Sequence, residues 1–341
     1  MSGGFTTAED LAAHGRDYVK VGAGEIQRIV TLSTSGSTGN GKRLYFTAGD
    51  LRRTIDFFRD GMGQICAPGD KVAILLGSPS PDGLGRLLEE GLREMGAVPS
   101  LLCLPRDYRE TAEALESLLP DTLVGLPVQM RRLSLMTPRL RPKTVLLSGD
   151  YVSLAAVDTI TRLWQTRVFT HYGLTESGLG FAVQCPLLLG QHIRASELQV
   201  EIVDPDTGES LPEGEWGEIV FTTLRREAMP LKRYRTGDIS RLLPGVCPCG
   251  QPGPRLDRVL GRVTEMRKPV SIYALDELLL RDDALLDYVA SFRDGMLTVV
   301  TEGGDPASVR ALLEETYPGF TVRVSPGAIP PSAQKRMVKT L

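Results

Sequence analysis

The residues with the clearest chemical potential form the loop Thr34-Ser35-Gly36-Ser37-Thr38-Gly39-Asn40-Gly41-Lys42. Its three glycines let the chain turn sharply, so that backbone N–H groups can come close to an anion. The hydroxyls of Ser35, Ser37 and Thr38 add hydrogen-bond donors, and the ammonium of Lys42 adds positive charge. These groups predict a loop that binds nucleotide phosphates, with an ordinary Gly/Ser turn between two strands as the alternative.

Two classes of nucleotide-binding loop compete for this segment. Gly36 to Lys42 has the G-x-x-x-x-G-K spacing of a P-loop NTPase, which requires Ser or Thr next and then a helix. Arg43 comes next instead, and the following Leu44-Tyr45-Phe46-Thr47 is typical of a strand. Because Ile29-Val30-Thr31-Leu32 before the loop is also strand-like, we predict a strand–loop–strand hairpin and exclude the P-loop.

Composition bounds the class of protein. The chain has 341 residues, enough for one large and one small domain, and its 42% hydrophobic and 24% charged residues are ordinary for a globular protein. A net charge of −3 gives no general attraction to nucleic acid or to an anionic membrane, so neither partner is predicted. We find no signal-peptide pattern and no apolar run near the ~18 residues of a membrane span. Five cysteines do not make a disulfide framework, so a cytoplasmic protein is expected.

The hydrophobic pattern predicts the elements that must position the loop. Helices are predicted at 48–62, 84–95 and 108–119. Strands are predicted at 71–76, 98–104, near 123, at 144–148 and at 168–172. This alternation favours an α/β sheet with covered faces. Further strands without intervening helices are predicted at 199–203, 217–224 and 234–239, and they indicate a small β-rich subdomain.

The tail has its own order of elements. A Pro- and Gly-rich stretch, 244–254, precedes the predicted domain boundary at Leu260-Gly261-Arg262. Beyond it, strands flank the hairpin dipeptide Asp294-Gly295. The predicted tail elements are strands 287–292 and 297–301, helix 308–317 and strand 320–324. We therefore predict two domains, residues 1–260 and a compact α+β module at 261–341.

Three short motifs occur in order behind the phosphate loop. They are Tyr172-Gly173-Leu174-Thr175-Glu176, Tyr234-Arg235-Thr236-Gly237-Asp238 and Leu260-Gly261-Arg262. Each is modest alone, but the set resembles the adenylate-forming superfamily of acyl-CoA synthetases, adenylation domains and luciferases. Within it, the chain is most similar to the branch of phenylacetate-CoA ligases and coenzyme F390 synthetases. The resemblance runs from about residue 28 to the C-terminus and is most specific between His171 and Arg262.

The resemblance implies both a fold and a reaction. The fold would be α/β, with a large N-terminal domain that has a mixed sheet and a β-rich subdomain, plus a small mobile α+β lid. The reaction would be ATP- and Mg²⁺-dependent activation of a carboxylic acid through an acyl-adenylate, followed by thioester formation with CoA. The acid is expected to be aromatic or of medium size and apolar. A carrier-protein acceptor, a degenerate non-catalytic nucleotide-binding protein and a homodimer stay open.

The resemblance also assigns residues to the nucleotide. The β- and γ-phosphates would contact Ser35, Gly36, Ser37, Thr38, Gly39 and Lys42. The loop Ser148-Gly149-Asp150 stands where the family lines the adenine, and Tyr172, followed by Gly173, would stack on that base. Thr175 would contact the α-phosphate, and Glu176 would hold Mg²⁺ through oxygen.

Three further residues receive roles from the same resemblance. Asp238 would accept hydrogen bonds from both ribose hydroxyls, and Arg262 would approach the ribose or a phosphate at the hinge. Pro330-Pro331-Ser332-Ala333-Gln334-Lys335 lines up with the family's Pro-Arg-Ser-Glu-Gly-Lys, so Lys335 matches the lysine of adenylation. Gln334 replaces the usual glycine, and Lys339 is a rival four residues on. The predicted catalytic set is Lys335, Glu176 and Thr175.

Four residues indicate a metal. Cys185 and His192 flank one loop, and Cys247 and Cys249 form a knuckle with Gly250. Thiolates with one imidazole suit structural Zn²⁺, although C-x-C is shorter than the usual C-x-x-C spacing. Similar residues occur at these places in the resembling branch, while reduced cysteines packed as small hydrophobic residues are the alternative.

The chain departs from the family at three places. Only about 30 residues precede the phosphate loop, so part of the usual N-terminal domain is expected to be absent. Thr264 stands where the family's hinge has Asp or Lys, and the next loop, 266–271, has no glycine. Adenylation is therefore better supported by the sequence than transfer to CoA.

Overall fold

The computed structural model describes residues 4–32, 41–77, 83–331 and 336–340. The chain divides into two compact units. The first unit comprises Met1–Gly69, Ser78–Pro99 and Phe169–Val263, and the second comprises Asp70–Gly77, Ser100–Val168 and Thr264–Leu341. The tail thus shares a unit with the segment from Ser100, a grouping that the sequence did not indicate; the division into 1–260 and 261–341 stays a prediction.

The helices and strands have the following bounds. The α-helices are α1 (Ala8–His14), α2 (Ala48–Met62), α3 (Leu84–Glu94), α4 (Tyr108–Leu118), α5 (Pro127–Met136), α6 (Leu154–Trp164), α7 (Val263–Met266), α8 (Ile272–Leu279) and α9 (Pro306–Thr316). The strands are β1 (Ile26–Leu32), β2 (Lys42–Thr47), β3 (Lys71–Leu75), β4 (Val98–Leu101), β5 (Thr122–Gly125), β6 (Thr144–Leu147), β7 (Arg167–Tyr172), β8 (Ala182–Gln184), β9 (Gln191–Ile193), β10 (Leu198–Val203), β11 (Gly217–Thr223), β12 (Tyr234–Ser240), β13 (Leu242–Leu243), β14 (Arg255–Leu256), β15 (Gly261–Arg262), β16 (Leu285–Arg293), β17 (Met296–Gly303), β18 (Thr321–Pro326) and β19 (Lys339–Thr340).

The predicted strand–loop–strand hairpin is present in the first unit. Strands β1 and β2 pair antiparallel with Leu32 opposite Lys42, so Lys42 begins β2 directly after the loop. Helix α2 follows at once because Thr47 and Asp50 form a capping box: Asp50 N–H donates to Thr47 Oγ1 at 3.0 Å, and Thr47 N–H donates to Asp50 Oδ2 at 3.1 Å. A strand, not a helix, therefore follows the loop, which removes the P-loop alternative.

The rest of the first unit is largely antiparallel. Strands β10, β11, β12 and β15 form one sheet in that order, and they make up the predicted β-rich subdomain. Strands β7, β8, β9, β14 and β13 pair in sequence along a second ladder. The β12–β15 pairing sets Asp238 opposite Arg262. Two of the family motifs are therefore neighbours through strand pairing.

The second unit contains the parallel strands that the apolar runs predict. Strands β3, β5 and β6 pair in parallel, with Val72 opposite Thr122 and Thr122 opposite Thr144. They are buried on both faces, which explains their continuous hydrophobic sequence. Helix α5 was not predicted, because every residue from Pro127 to Ser134 is buried, polar ones included, and no solvent-exposed polar face marks its period.

The tail forms its own four-stranded sheet in the second unit, ordered β18-β17-β16-β19. Asp294 and Gly295 make the predicted turn between β16 and β17, with positive φ of 47° and 75°, as a tight hairpin turn requires. The α/β class with mixed sheets is thus confirmed. No helix among the described residues is long and apolar enough to cross a bilayer.

Candidate functional site

A buried ion pair lies at the base of the phosphate-loop hairpin. The Lys42 ammonium donates to Glu176 Oε1 and, at 3.2 Å, to the hydroxyl of Tyr234, which itself donates to Glu176 Oε1 at 3.0 Å. The side chains of Lys42 and Glu176 are each only 9% exposed. Burial raises the pKa of Glu176, but the charge and hydrogen bond of Lys42 lower it more, so its net pKa shift is downward. Glu176 is thus held as a carboxylate.

The turn that carries Glu176 is fixed by its surroundings. Glu176 lies in a 3₁₀ turn, Thr175–Ser177, that follows β7 and ends at Gly178 with a left-handed φ of 89°. Gly178 N–H donates to the Thr175 carbonyl at 3.1 Å, and Thr54 Oγ1 on α2 donates to the Gly178 carbonyl at 2.7 Å. Helix α2 therefore orients both Thr175 and Glu176.

A second cluster joins the other two motifs. The Tyr172 hydroxyl donates to Asp238 Oδ2 at 2.8 Å, and Arg262 Nε lies 3.3 Å from Asp238 Oδ1. Asp238 N–H donates to Thr236 Oγ1 at 3.0 Å, which fixes the strand under the carboxylate. Burial and the nearby Asp238 charge raise the pKa of Tyr172 well above its ordinary value, so Tyr172 stays a hydrogen-bond donor.

Gly173 is required by the space beside it. A Cβ on Gly173 would lie 2.5 Å from the Leu179 carbonyl oxygen and 2.6 Å from His171 Cε1. The Leu179 oxygen belongs to the backbone, so any side chain at Gly173 would displace the turn that carries Glu176.

The predicted adenine loop lies in the second unit. Ser148, Gly149 and Asp150 follow β6; Ser148 N–H donates to the Gly125 carbonyl at 3.1 Å, and Gly149 has a φ of 89°. Asp150 Oδ1 accepts from Tyr151 N–H at 2.8 Å. The loop backbone is therefore fixed, and its last residue, Asp150, has a carboxylate held by a hydrogen bond.

Several predicted site residues lie outside the described part of the chain. They are Ser35, Gly36, Ser37, Thr38, Gly39 and Lys335. The rival Lys339 is described: it is exposed and begins β19, opposite Ser291 of β16. The structure thus brings Lys42 to Glu176, and Tyr172 and Arg262 to Asp238, while the ligand roles of all these residues stay predictions.

The four predicted metal ligands come together in the first unit. Cys185 follows β8, His192 lies in β9, and Cys247 and Cys249 lie between β13 and β14. The four ligand atoms all lie within 4.8 Å of one another. Cys185 Sγ is 3.8 Å from Cys247 Sγ, and Cys249 Sγ is 3.3 Å from His192 Nε2.

The Cys185–Cys247 and Cys249–His192 distances are close to those around one tetrahedral ion. Zn–S bonds of about 2.3 Å and Zn–N bonds of about 2.0 Å place tetrahedral ligand atoms roughly 3.5–3.8 Å apart. Gln251 N–H points to Cys249 Sγ at 3.4 Å, an arrangement that stabilises a thiolate. Cys185, His192 and Cys247 are buried, so the donors face one another and not solvent.

The sequence did not predict the Asp50–Arg226 pair, which supports the cluster of Lys42, Glu176 and Tyr234. Asp50 accepts hydrogen bonds from Glu227 N–H at 2.9 Å and Ala228 N–H at 3.0 Å, and Arg226 Nε lies 3.5 Å from Asp50 Oδ2. The Arg226 guanidinium also lies 4.0 Å above the Phe46 ring, and burial lowers its pKa to about 10. No local pattern links Asp50 to Arg226, because 176 positions separate them.

Comparison with known proteins identifies the family of the chain. The family model described as "AMP-binding enzyme" matches residues 27–224. A phenylacetate-coenzyme A ligase of Thermus thermophilus is 48% identical over 97 residues, which are 28% of this chain and 22% of that protein. The corresponding ligase of Escherichia coli is 44% identical over 97 residues, again 28% of this chain and 22% of that protein. The matched segment thus spans about a fifth of these curated relatives.

Solved structures support the same fold. A 2-hydroxyisobutyryl-CoA ligase in its postadenylation state, in complex with 2-HIB-AMP, has a TM-score of 0.80 at 18% identity, covering 99% of this chain and 79% of that one. A benzoate CoA ligase from Burkholderia xenovorans has a TM-score of 0.61 at 16% identity, covering 87% of this chain and 65% of that one. At these identities the similarity shows the fold alone.

Proposed function

Because the chain belongs to the AMP-binding enzyme family, we propose that it activates a carboxylic acid with ATP and Mg²⁺ and then transfers the acyl group to the thiol of CoA. In the first step a carboxylate oxygen attacks the α-phosphorus of ATP, an acyl-adenylate forms and pyrophosphate leaves. In the second step the sulfur attacks the acyl carbon, a thioester forms and AMP leaves. The observation that carries the proposal is the buried contact of Lys42 and Tyr234 with Glu176, which joins three sequence motifs.

The Lys42–Glu176 pair supplies the charges that bound ATP requires. Glu176 is a buried, ionised carboxylate, and an oxygen ligand of this type suits Mg²⁺. When bound, Mg²⁺ supplies charge neutralisation at the phosphate oxygens. We propose that Lys42 exchanges its contact with Glu176 for a phosphate oxygen of ATP. Tyr234 keeps its hydrogen bond and holds Glu176 in place during that exchange.

Asp238 has the geometry for a ribose contact. Its two oxygens accept from Tyr172 at 2.8 Å and approach Arg262 at 3.3 Å, and a carboxylate has further lone pairs for two sugar hydroxyls. The hydrogen bond orients the Tyr172 ring, whose face we assign to the adenine. Gly173 keeps the chain beside that ring free of a side chain. The roles of Ser148, Gly149, Asp150 and the phosphate-loop residues follow from the resemblance.

The acid and the acceptor are also proposals. We propose an aromatic or medium-sized apolar acid, because the curated relatives that share sequence with the chain are named phenylacetate-coenzyme A ligases. CoA is the proposed acceptor for the same reason, and the alternative is the thiol of an acyl carrier protein. A competition assay with CoA and a carrier protein, each offered to the preformed acyl-adenylate, separates the two.

We further propose that Cys185, His192, Cys247 and Cys249 hold one Zn²⁺. Three thiolates and one imidazole fill a tetrahedral site and leave no position for a substrate, so the metal is structural. It would fasten the loop between β13 and β14 to strands β8 and β9. Because β14 pairs with β9 at His192, the metal and the strand pairing stabilise the same contact.

The reaction is tested by acid-dependent exchange of labelled pyrophosphate into ATP. An adenylating enzyme exchanges label only when a suitable acid is present, because the exchange passes through the acyl-adenylate. A non-catalytic nucleotide-binding protein would bind ATP and show no exchange with any acid.

A further inference from the structure

Arg336 is held by two carboxylates within the second unit. Its guanidinium donates to Asp287 Oδ1 at 2.6 Å and to Asp276 Oδ1 at 3.0 Å. It also lies 4.6 Å from the centre of the Tyr288 ring, and the Tyr288 hydroxyl donates to the same Asp276 oxygen at 2.6 Å. The Arg336 side chain is 18% exposed and that of Asp276 only 2%. We call this group of four residues the Arg336 cluster.

The Arg336 cluster has one stable arrangement. A buried guanidinium and buried carboxylates must stay together, because separating them leaves uncompensated charge in the protein interior. Asp276 lies on α8 and Asp287 on β16, so the side chain of Arg336 fixes the chain just ahead of β19 against two different elements. The backbone at residue 336 therefore has a defined place in the second unit.

That backbone reaches the loop assigned to adenine. Arg336 N–H donates to Asp150 Oδ2 at 3.2 Å, while Asp150 Oδ1 accepts from Tyr151 N–H at 2.8 Å. The carboxylate of Asp150 is thus held on one side by its own loop and on the other by the tail. Moving Arg336 would remove one of these two hydrogen bonds to Asp150.

Helix α8 also binds the far end of the same loop. Glu277, next to Asp276, accepts from the Tyr151 hydroxyl at 2.8 Å and from Leu154 N–H at 3.1 Å. Leu154 is the first residue of α6, where a carboxylate is favoured by the unpaired N–H groups and the helix dipole. On one turn of α8, Asp276 therefore binds the tail and the adjacent Glu277 binds the adenine loop.

We propose that Arg336 is a positioning residue for the adenylation step: it holds Asp150 through its backbone amide while Asp276 and Asp287 hold its side chain. The inference rests on the proposed function, because it needs Asp150 to face the adenine. It makes the order of the adenine loop depend on where the tail is docked. The acyl-adenylate consumed in the second step keeps the adenine but has no triphosphate to orient for attack, so at saturating acyl-adenylate this step depends less on the contact.

The first test compares the two half-reactions in Arg336→Met. We expect kcat/KM for ATP in acyl-adenylate formation to fall about 10- to 100-fold, because a displaced loop misorients the nucleotide. Conversion of supplied acyl-adenylate to thioester should change less than about threefold. Arg336→Lys, which keeps a charge for one carboxylate, should recover part of the loss. Arg310→Met is the matched control, because Arg310 is an exposed tail residue with only a 4.0 Å pair to Glu314.

The second test keeps the Arg336 cluster intact. Asp150→Asn replaces the carboxylate that accepts a hydrogen bond from Arg336 N–H with a neutral amide. The variant should also lose acyl-adenylate formation more than thioester formation, and it should melt near the wild-type temperature. In the double variant the two losses should be less than multiplicative, because both act through one contact. Equal losses in both half-reactions, unchanged adenylation, or multiplicative losses would overturn the proposal. Absence of pyrophosphate exchange in the wild type would instead overturn the proposed function itself.

Discussion

Lys42 and Glu176 form a buried salt bridge across 134 positions of the sequence, and Tyr234 closes the group by bonding to both. The pairing joins the end of the phosphate-loop hairpin to the turn after β7. Within the first unit, the Lys42 ammonium and the Glu176 carboxylate compensate each other's charge. We propose that this pairing preorganises the carboxylate for Mg²⁺ and the ammonium for a phosphate oxygen.

Glu176→Gln should reduce acyl-adenylate formation by about 10²–10³-fold, as loss of a preorganised electrostatic group typically does. The substitution keeps the shape and one acceptor for Tyr234 but removes the charge for Mg²⁺. Single-turnover adenylation measured against Mg²⁺ concentration checks it. Glu213→Gln is the control, since Glu213 is exposed in a turn of the same unit and lies outside the motifs. If Glu176→Gln keeps the wild-type dependence on Mg²⁺ concentration, Glu176 is not a ligand of the Mg²⁺.

The same pair predicts a pH dependence of stability. The pKa of Glu176 is lower in the folded protein than its ordinary value of 4.5, so the unfolded chain binds a proton more readily. The stability that this carboxylate contributes is full above pH ~5 and is lost as the pH falls through the lowered folded pKa. Urea unfolding of wild type and Glu176→Gln should show a difference in free energy at pH 7 that shrinks at pH 3.5. A difference independent of pH would contradict the ionised pair.

Asp238→Ala should weaken ATP binding by about 1.5–3 kcal/mol, the usual size for hydrogen bonds to a charged group. Isothermal titration calorimetry with ATP checks it. Asp257→Ala, which removes a partner of Arg241 but no motif residue, should bind ATP as the wild type does. An unchanged affinity in folded Asp238→Ala protein would exclude Asp238 from the ribose contact.

Purified protein should contain one zinc per chain. Structural zinc contributes roughly 10–16 kcal/mol of apparent binding energy in zinc-finger peptides, so the ion should survive purification without chelator. Cys249→Ser should lower both the zinc content and the melting temperature, whereas Cys66→Ser, outside the cluster, should change neither. Metal analysis without stoichiometric zinc would contradict the site.

Lys335→Ala should lose acyl-adenylate formation by about 10²–10³-fold and still convert supplied acyl-adenylate. The ammonium would bridge the carboxylate of the acid and the α-phosphate as charge moves between them. Stopped-flow measurement of both half-reactions checks it, with Lys339→Ala alongside. A crippled Lys339→Ala beside a normal Lys335→Ala would show that the tail motif is aligned four residues too early.

The local parts of the fold were predictable because their causes are local. The hairpin follows from two β-branched or aromatic runs around a glycine-rich loop, and the tail turn follows from Asp294-Gly295. Helix α5 was missed because burial on all sides erases amphipathic periodicity. Sequence pattern thus predicts a helix best where one face meets solvent, whereas a buried strand is recognised by its continuous apolar run.

The site was predictable as a set of motifs but not as a set of contacts. The order of motifs indicated Tyr172, Glu176 and Asp238, while the hydrogen bond of Tyr172 to Asp238 depends on how β7 meets β12. The pairing of Asp50 with Arg226 could not be predicted from the sequence, because a buried ion pair between distant segments has no characteristic period or spacing. The grouping of Cys185, His192, Cys247 and Cys249 was predicted because Cys and His are few and chemically distinctive.

The central claim is acid-dependent adenylation, and exchange of labelled pyrophosphate into ATP tests it most directly. The assay uses the full chain with Mg²⁺ and a panel of aromatic and medium-sized apolar acids, with acetate and an acid-free mixture as comparisons. The account predicts exchange with at least one aromatic acid, none without acid, and loss of exchange in Glu176→Gln. Protein that binds ATP yet gives no exchange with any acid of the panel would contradict it.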